Sequence, residues 1–211
     1  MSGRAVYRFV SRWRVEGTCG EVADIIGDPL TLPEWWPSVY LRVTEIEPAD
    51  ARGLNRRLRL LTKGWLPYSL EWEFVLTRSD YPDRFEIEAF GDFSGHGVWT
   101  FVQAGPDVDI TYDWSVSAEK PLLKNLTFLL RPLFEANHRW AMAQGEISLR
   151  LELARRRAAS AGDRAAIPPP PGPVTYKGVA LLAGAAAVGV GLGYLAIRAT
   201  RRTRRSGNRR S

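Results

Sequence analysis

The chain has 211 residues, 45% hydrophobic and 25% charged, which excludes wholesale disorder and allows one domain of ordinary size plus an appendage. A single cysteine, Cys19, excludes an internal disulfide framework and a cysteine-based zinc cluster, and two histidines, His96 and His138, leave little for a histidine-rich metal site. The net charge of +6 belongs to the C-terminal end. Residues 1–160 carry 20 basic and 22 acidic side chains while residues 161–211 carry 9 and 1, so the mildly acidic body argues against nucleic-acid binding.

Alternation of period two marks the strands. Tyr7, Phe9, Trp13 and Val15 face one way and Arg8, Arg12, Arg14 and Glu16 the other. Gly20–Ile26 and Leu30–Trp36 read as two short helices, the second opened by Asp28-Pro29 and closed by Pro37. Strands follow at Val39–Glu47, Leu54–Leu61, Tyr68–Thr77, Asp83–Phe90, Val98–Gln103 and Asp107–Ser117. The pattern predicts a long helix from Pro132, tolerated in a first turn, to Arg157, with Phe134, His138, Ala141, Gly145 and Leu149 on one stripe. The predicted class is α+β: a curved seven-stranded antiparallel sheet around a long C-terminal helix, with room for a cavity between two aromatic faces.

Beyond this domain, residues 1–158, lies a Pro-rich spacer over 159–177 with the run Pro168-Pro-Pro-Pro171, read as extended polyproline. Residues 178–197 are twenty uncharged residues, about 30 Å as a helix, enough to span a bilayer core. Ala185, Gly189 and Gly193 recur every four residues, a face suited to self-association in a membrane. Residues 198–211 hold seven arginines. No apolar signal core opens the chain, so the domain is expected on the cytoplasmic side of a single-pass anchor in the cell membrane. Either the tail crosses despite its arginines, or the segment enters without fully crossing.

Trp36, Trp72, Trp99 and Trp114, with Phe74, Phe134 and Met142, are candidates to line the cavity, the plainer alternative being that they fill the core. Trp35 is expected to point elsewhere, toward the cavity mouth. His138, on the helix stripe, is the candidate acid/base or ligand hydrogen-bonding group, against a histidine merely satisfied by neighbours. His96, between Gly95 and Gly97, reads as a loop or bulge residue, and the two histidines could meet, though no third metal ligand is available. Arg56 aligns with Leu54, Leu58 and Leu60, so it either points inward to fix an anionic headgroup or marks lapsed alternation at an edge strand. Asp92, Asp113, Glu71 and Glu73 are the other acids, the last three falling on the wet faces. Cys19 is either a helix-start thiol with lowered pKa or a small buried one. No nucleophile-elbow, zinc-protease, CxxC, Walker or dinucleotide motif occurs, and neither a metal nor a cofactor is expected.

The order of elements, with Gly20-Glu-Val-Ala-Asp-Ile-Ile26, Leu32-Pro-Glu-Trp-Trp-Pro-Ser-Val39, Glu45-Ile-Glu-Pro48, Arg131-Pro-Leu-Phe134 and Asn137-His-Arg-Trp-Ala-Met-Ala-Gln-Gly145, resembles the SRPBCC, or START-like, superfamily and its polyketide cyclase/dehydrase-type branch over about residues 4–157. The resemblance implies a helix-grip fold and a pocket for a lipid or other hydrophobic small molecule. The expected function is a membrane-anchored binding protein for such a molecule. The alternatives are a polyketide cyclase/dehydrase-like enzyme using His138, or a membrane scaffold whose cavity is filled by its own side chains. A bulky residue at Gly145 is expected to block uptake without unfolding the domain.

Overall fold

Seven strands form one antiparallel sheet in the order β1-β7-β6-β5-β4-β3-β2. The computed structural model describes residues 6–118 and 127–175. In chain order the elements are β1 (Val6–Glu16), α1 (Cys19–Ile26), a 3₁₀ turn (Pro29–Thr31), α2 (Leu32–Trp35), β2 (Tyr40–Glu47), β3 (Arg57–Lys63), β4 (Ser69–Asp80), β5 (Arg84–Gly91), β6 (Phe93–Ala104), β7 (Asp107–Ala118), α3 (Thr127–Arg157) and α4 (Ala161–Ala166). All lie within the compact unit Met1–Pro173. The predicted helix-grip class is what the structure shows: a meander from β2 to β7, with β1 returning to pair with β7 and a long helix following the sheet.

The register sets aromatic residues beside one another on the inner face. Phe9 lies opposite Trp114, Trp99 opposite Tyr112, Leu60 opposite Trp72 and Phe85 opposite Trp99. The wet face carries the acids that alternation places there. Asp113 pairs with Arg8 at 2.6 Å, and Glu73 takes Arg57 and Arg59 at 2.6 and 2.8 Å. Solvent screens exposed pairs of this kind, so they add little to stability. Asp92 accepts the Glu71 backbone N–H.

Helix α3 seats against the free edge of β1 through its own side chains. Glu146 accepts the Arg14 N–H, Arg150 donates to the Arg14 carbonyl, and Arg157 donates to that of Glu16. An edge that would otherwise offer unpaired backbone to another strand is thereby covered. Arg157 also grips Glu21 through two nitrogens at 2.7 and 2.8 Å. Glu21 is the acid of a capping box, in which Thr18 Oγ1 accepts the Glu21 N–H and Glu21 accepts the Thr18 N–H. Arg157 foremost holds the Glu21 carboxyl down at about 2. That stabilisation is present above the unfolded carboxylate value of 4.5 and is lost as pH falls toward 2. Both side chains are 38% exposed, so Arg157→Ala is expected to cost only about 1 kcal/mol at pH 7 and less at pH 2, where the bond to the Glu16 carbonyl remains, read from urea midpoints at the two pH values.

Four expectations need correction here. Helix α3 begins before Pro132, which therefore lies inside it and removes one backbone donor. The spacer is not extended throughout: α4 forms within it, capped by Ser160, and Arg155 donates to the Pro168 carbonyl. His96 is a mid-strand residue of β6, opposite Glu88 and Ser115, not a loop residue. Trp35 is 1% exposed and belongs to the core, not to a mouth. The expected span 178–197 and the tail 198–211 lie outside the described residues. No helix among the described residues is long and apolar enough to cross a membrane.

Candidate functional site

The space between sheet and helices is divided into two lobes. The smaller, about 140 Å³, lies against α3 and is lined by Trp36, Trp72, Trp114, Phe134, His138 and Met142 of the expected residues. The larger, about 550 Å³, lies against α1 and α2 and is lined by Trp36, Trp72, Phe74, Trp99 and Arg56. Sequence reasoning placed these side chains in one cavity, whereas the structure sorts them into two. Trp36, Tyr40, Trp72 and Tyr112 line both lobes and so form the partition. Its rings pack at short range: Trp36 to Tyr40 at 5.0 Å edge-on, Tyr112 stacked on Trp99 at 4.1 Å, and Trp72 to Trp114 at 5.7 Å.

Each end of the partition rests on a glycine. A Cβ at Gly97 would stand 2.8 Å from both the Trp114 ring and the Tyr112 hydroxyl. A Cβ at Gly145 would stand 2.3 Å from the Trp36 indole, so the ring lies directly on the α3 backbone. The expectation that a bulky residue at Gly145 would simply plug the cavity is therefore overturned: the position is already filled by Trp36.

The polar groups of the smaller lobe are neutral hydroxyls, an amide, an imidazole and one amine. Burial raises the Tyr40 hydroxyl above the ordinary tyrosine range. It raises Tyr112 well above it, with Tyr40 adding to the effect, and pushes Tyr68 up to about 12 with help from Tyr7. These phenols are donors at any working pH, not bases. His138 stacks on Phe9 at 4.3 Å, and its Nε2 lies 3.1 Å from Ser11 Oγ. Burial, and then Arg139, lower it to about 4, so the imidazole is neutral at pH 7. Lys63 supplies the amine.

Asn137 closes one side of this lobe. Its Oδ1 accepts the Trp65 N–H at 3.0 Å and the Leu66 N–H at 3.4 Å, pinning the β3–β4 loop to α3. The amide sits where a Gly64 side chain would be. Asn137→Ala is expected to cost about 1–2 kcal/mol and to speed amide exchange at Trp65 and Leu66, measured by hydrogen exchange.

Sequence reasoning missed Ser11, Tyr40 and Asn137. Asn137 lies three after Phe134 and four before Ala141, so the same stripe includes it. Ser11 completes the alternation between Phe9 and Trp13. Both are polar, and a search for apolar recurrence passed over them. Arg56 lines the larger lobe from just before β3 and pairs with Glu45 at 2.5 Å, while the other expected residues stand apart. His96 faces out beside Glu86, so the histidines do not meet, and no metal-ligating cluster occurs among the described residues. The Cys19 thiol is buried and its pKa raised by that burial, then by Asp83, so it is not an activated nucleophile.

No protein-family model matches the sequence, and no curated protein matches it. Solved structures do match in shape. A Thermus thermophilus protein, TTHA0849, superposes with a TM-score of 0.59 at 15% identity over 72% of this chain and 100% of its own. The Zhui aromatase/cyclase of a Streptomyces species gives 0.58 at 13% over 74% and 99%. The di-domain ARO/CYC StfQ from the steffimycin biosynthetic pathway gives 0.52 at 16% over 74% and 52%. At these identities the likeness is one of fold, a curved antiparallel sheet followed by a long C-terminal helix.

Proposed function

We propose that this domain binds a hydrophobic small molecule or lipid in its interior. The observation that carries the reading is the two-lobed cavity, aromatic on its walls and furnished with a few neutral hydrogen-bonding groups, as ligand sites commonly are. Transfer of an apolar guest from water into it gains ~25 cal/mol per Å² of apolar surface covered. The uncharged segment 178–197 supports a membrane anchor that keeps the domain near such guests, and its small-residue face supports self-association there. The test is native mass spectrometry of the full chain released gently from membranes, with Nile red uptake as a second readout. A near-stoichiometric apolar passenger, or saturable Nile red binding, is the expected result. A chain that arrives empty and excludes the dye overturns the reading.

A second reading, cyclase-like catalysis, is favoured by one observation: a neutral imidazole, fixed by Ser11, lines the same lobe as the hydroxyls of Tyr40 and Tyr112. A base beside buried donors suits proton removal next to a carbonyl whose oxygen is held by phenols. Under this reading His138→Gln abolishes turnover of an aromatic polyketone while the variant still binds it. Turnover unchanged in that variant excludes the role.

A further inference from the structure

The two lobes differ in electrical character. Among the described residues, no carboxylate lines the smaller lobe, and the charged side chain there is Lys63. The larger lobe is lined by Asp24, Asp28 and Glu45 against a single cation, Arg56. Glu45 is matched by that arginine. Asp24 accepts only a neutral hydroxyl, from Tyr81 at 3.0 Å, and Asp28 is the 3₁₀ N-cap without a side-chain cap bond. Neither aspartate is in an ion pair among the described residues. The walls behind them are aromatic: Trp35, Trp72, Phe74, Phe85 and Trp99. Trp35, 1% exposed, also carries an Nε1–H with no acceptor.

We propose that the larger lobe is a binding site of its own for an organic cation with a flat aromatic body, its ammonium held at Asp24 and Asp28 and its rings among Trp72, Phe74 and Trp99. This rests on the reading of the interior as a ligand site and names the class of guest. A cation gains from both walls: carboxylates attract it at the rim, and ring faces attract it through their quadrupoles further in. An anion of the same shape meets the carboxylates' repulsion and finds Arg56 already occupied.

The test uses the full chain and three probes of one shape: naphthalen-1-ylmethylammonium, naphthalen-1-ylmethanol and naphthalene-1-carboxylate, compared by equilibrium dialysis at pH 7. The amine is expected to bind about 10-fold tighter than the alcohol, with the carboxylate weakest. Asp24→Asn combined with Asp28→Asn is expected to bring the amine-to-alcohol ratio close to one. Asp24 is exposed and Asp28 half-buried, the replacement is isosteric, and an unchanged melting temperature verifies the fold. Equal binding of amine and alcohol, or a preference that survives the double substitution, overturns the proposal. If no naphthalene binds while Nile red does, the cation site alone falls. If Nile red is excluded too, the ligand-binding reading falls with it.

Discussion

Gly145→Ala is expected to destabilise the domain by about 1–2 kcal/mol, although alanine in a helix interior ordinarily gains about 1 kcal/mol over glycine. The added methyl would stand 2.3, 2.6 and 2.7 Å from three atoms of the Trp36 indole. The indole is packed against three other rings. Trp13 lies 5.5 Å away, Trp35 5.5 Å and Tyr40 5.0 Å, each a ring against a ring. Trp36 is 3% exposed, so movement of its ring displaces other core side chains. Gly145→Leu is expected to cost about 3 kcal/mol or more, a fall in melting temperature on the order of 6–12 °C for a domain of this size. A double-mutant cycle with Trp36→Leu tests the cause: if the clash is the source, the smaller side chain recovers more than half of the alanine penalty. A Gly145→Ala chain more stable than its parent would show that the ring is not seated on the helix. Because Trp36 walls both lobes, the same substitution disturbs ligand uptake through the fold, so loss of binding in this variant says nothing by itself about where a ligand sits.

The relation between sequence and structure is uneven, for reasons that can be traced to particular residues. The strands with one wet face were legible because burial differs sharply from one residue to the next, as in Leu70, Trp72 and Phe74 against Ser69, Glu71 and Glu73. The start of β3 was less so. Leu54, Arg56, Leu58 and Leu60 alternate, yet the strand opens only at Arg57, because residues 50–55 are tied into a turn by Asp50, whose carboxylate accepts the Arg52 and Leu54 N–H groups. His96 was misread because flanking glycines signal a bend as readily as room for a neighbour's ring; here Gly97 makes that room for Trp114. The interior was foreseen as one aromatic cavity. Its division into two lobes depends on which rings meet across the sheet, and ring contacts between β7, β6, β4 and the end of α2 are long-range facts that no local period encodes. The charge difference between the lobes is hidden for the same reason. Asp24 lies in α1 and Asp28 just after it, and both come beside the larger lobe only after folding.

His138 should give the protein a stability response to pH between 6.5 and 4. Its folded pKa is lowered to about 4 from an ordinary 6.5, with burial the first cause and Arg139 the second. The unfolded chain therefore takes up a proton as pH falls through 6.5, while the folded chain refuses it until about 4. Stability from this residue is fully present above pH 6.5 and lost progressively between 6.5 and 4. The gap corresponds to roughly 3 kcal/mol when the loss is complete. The carboxylates with resolved shifts titrate lower. Glu21 and Asp50 are held at about 2, and Glu73 and Asp113 are lowered by their arginines, so their losses come after the histidine's. Urea midpoints measured from pH 7.5 to 4.5 should fall in the native chain and stay nearly level in His138→Gln, which retains a partner for Ser11 without a titrating ring. An imidazole proton resonance that shifts with a midpoint near 4 would assign the step to His138 directly. A midpoint near 6.5 would mean that water reaches the ring. In that case about a quarter of the His138 imidazoles in the smaller lobe would be charged at pH 7.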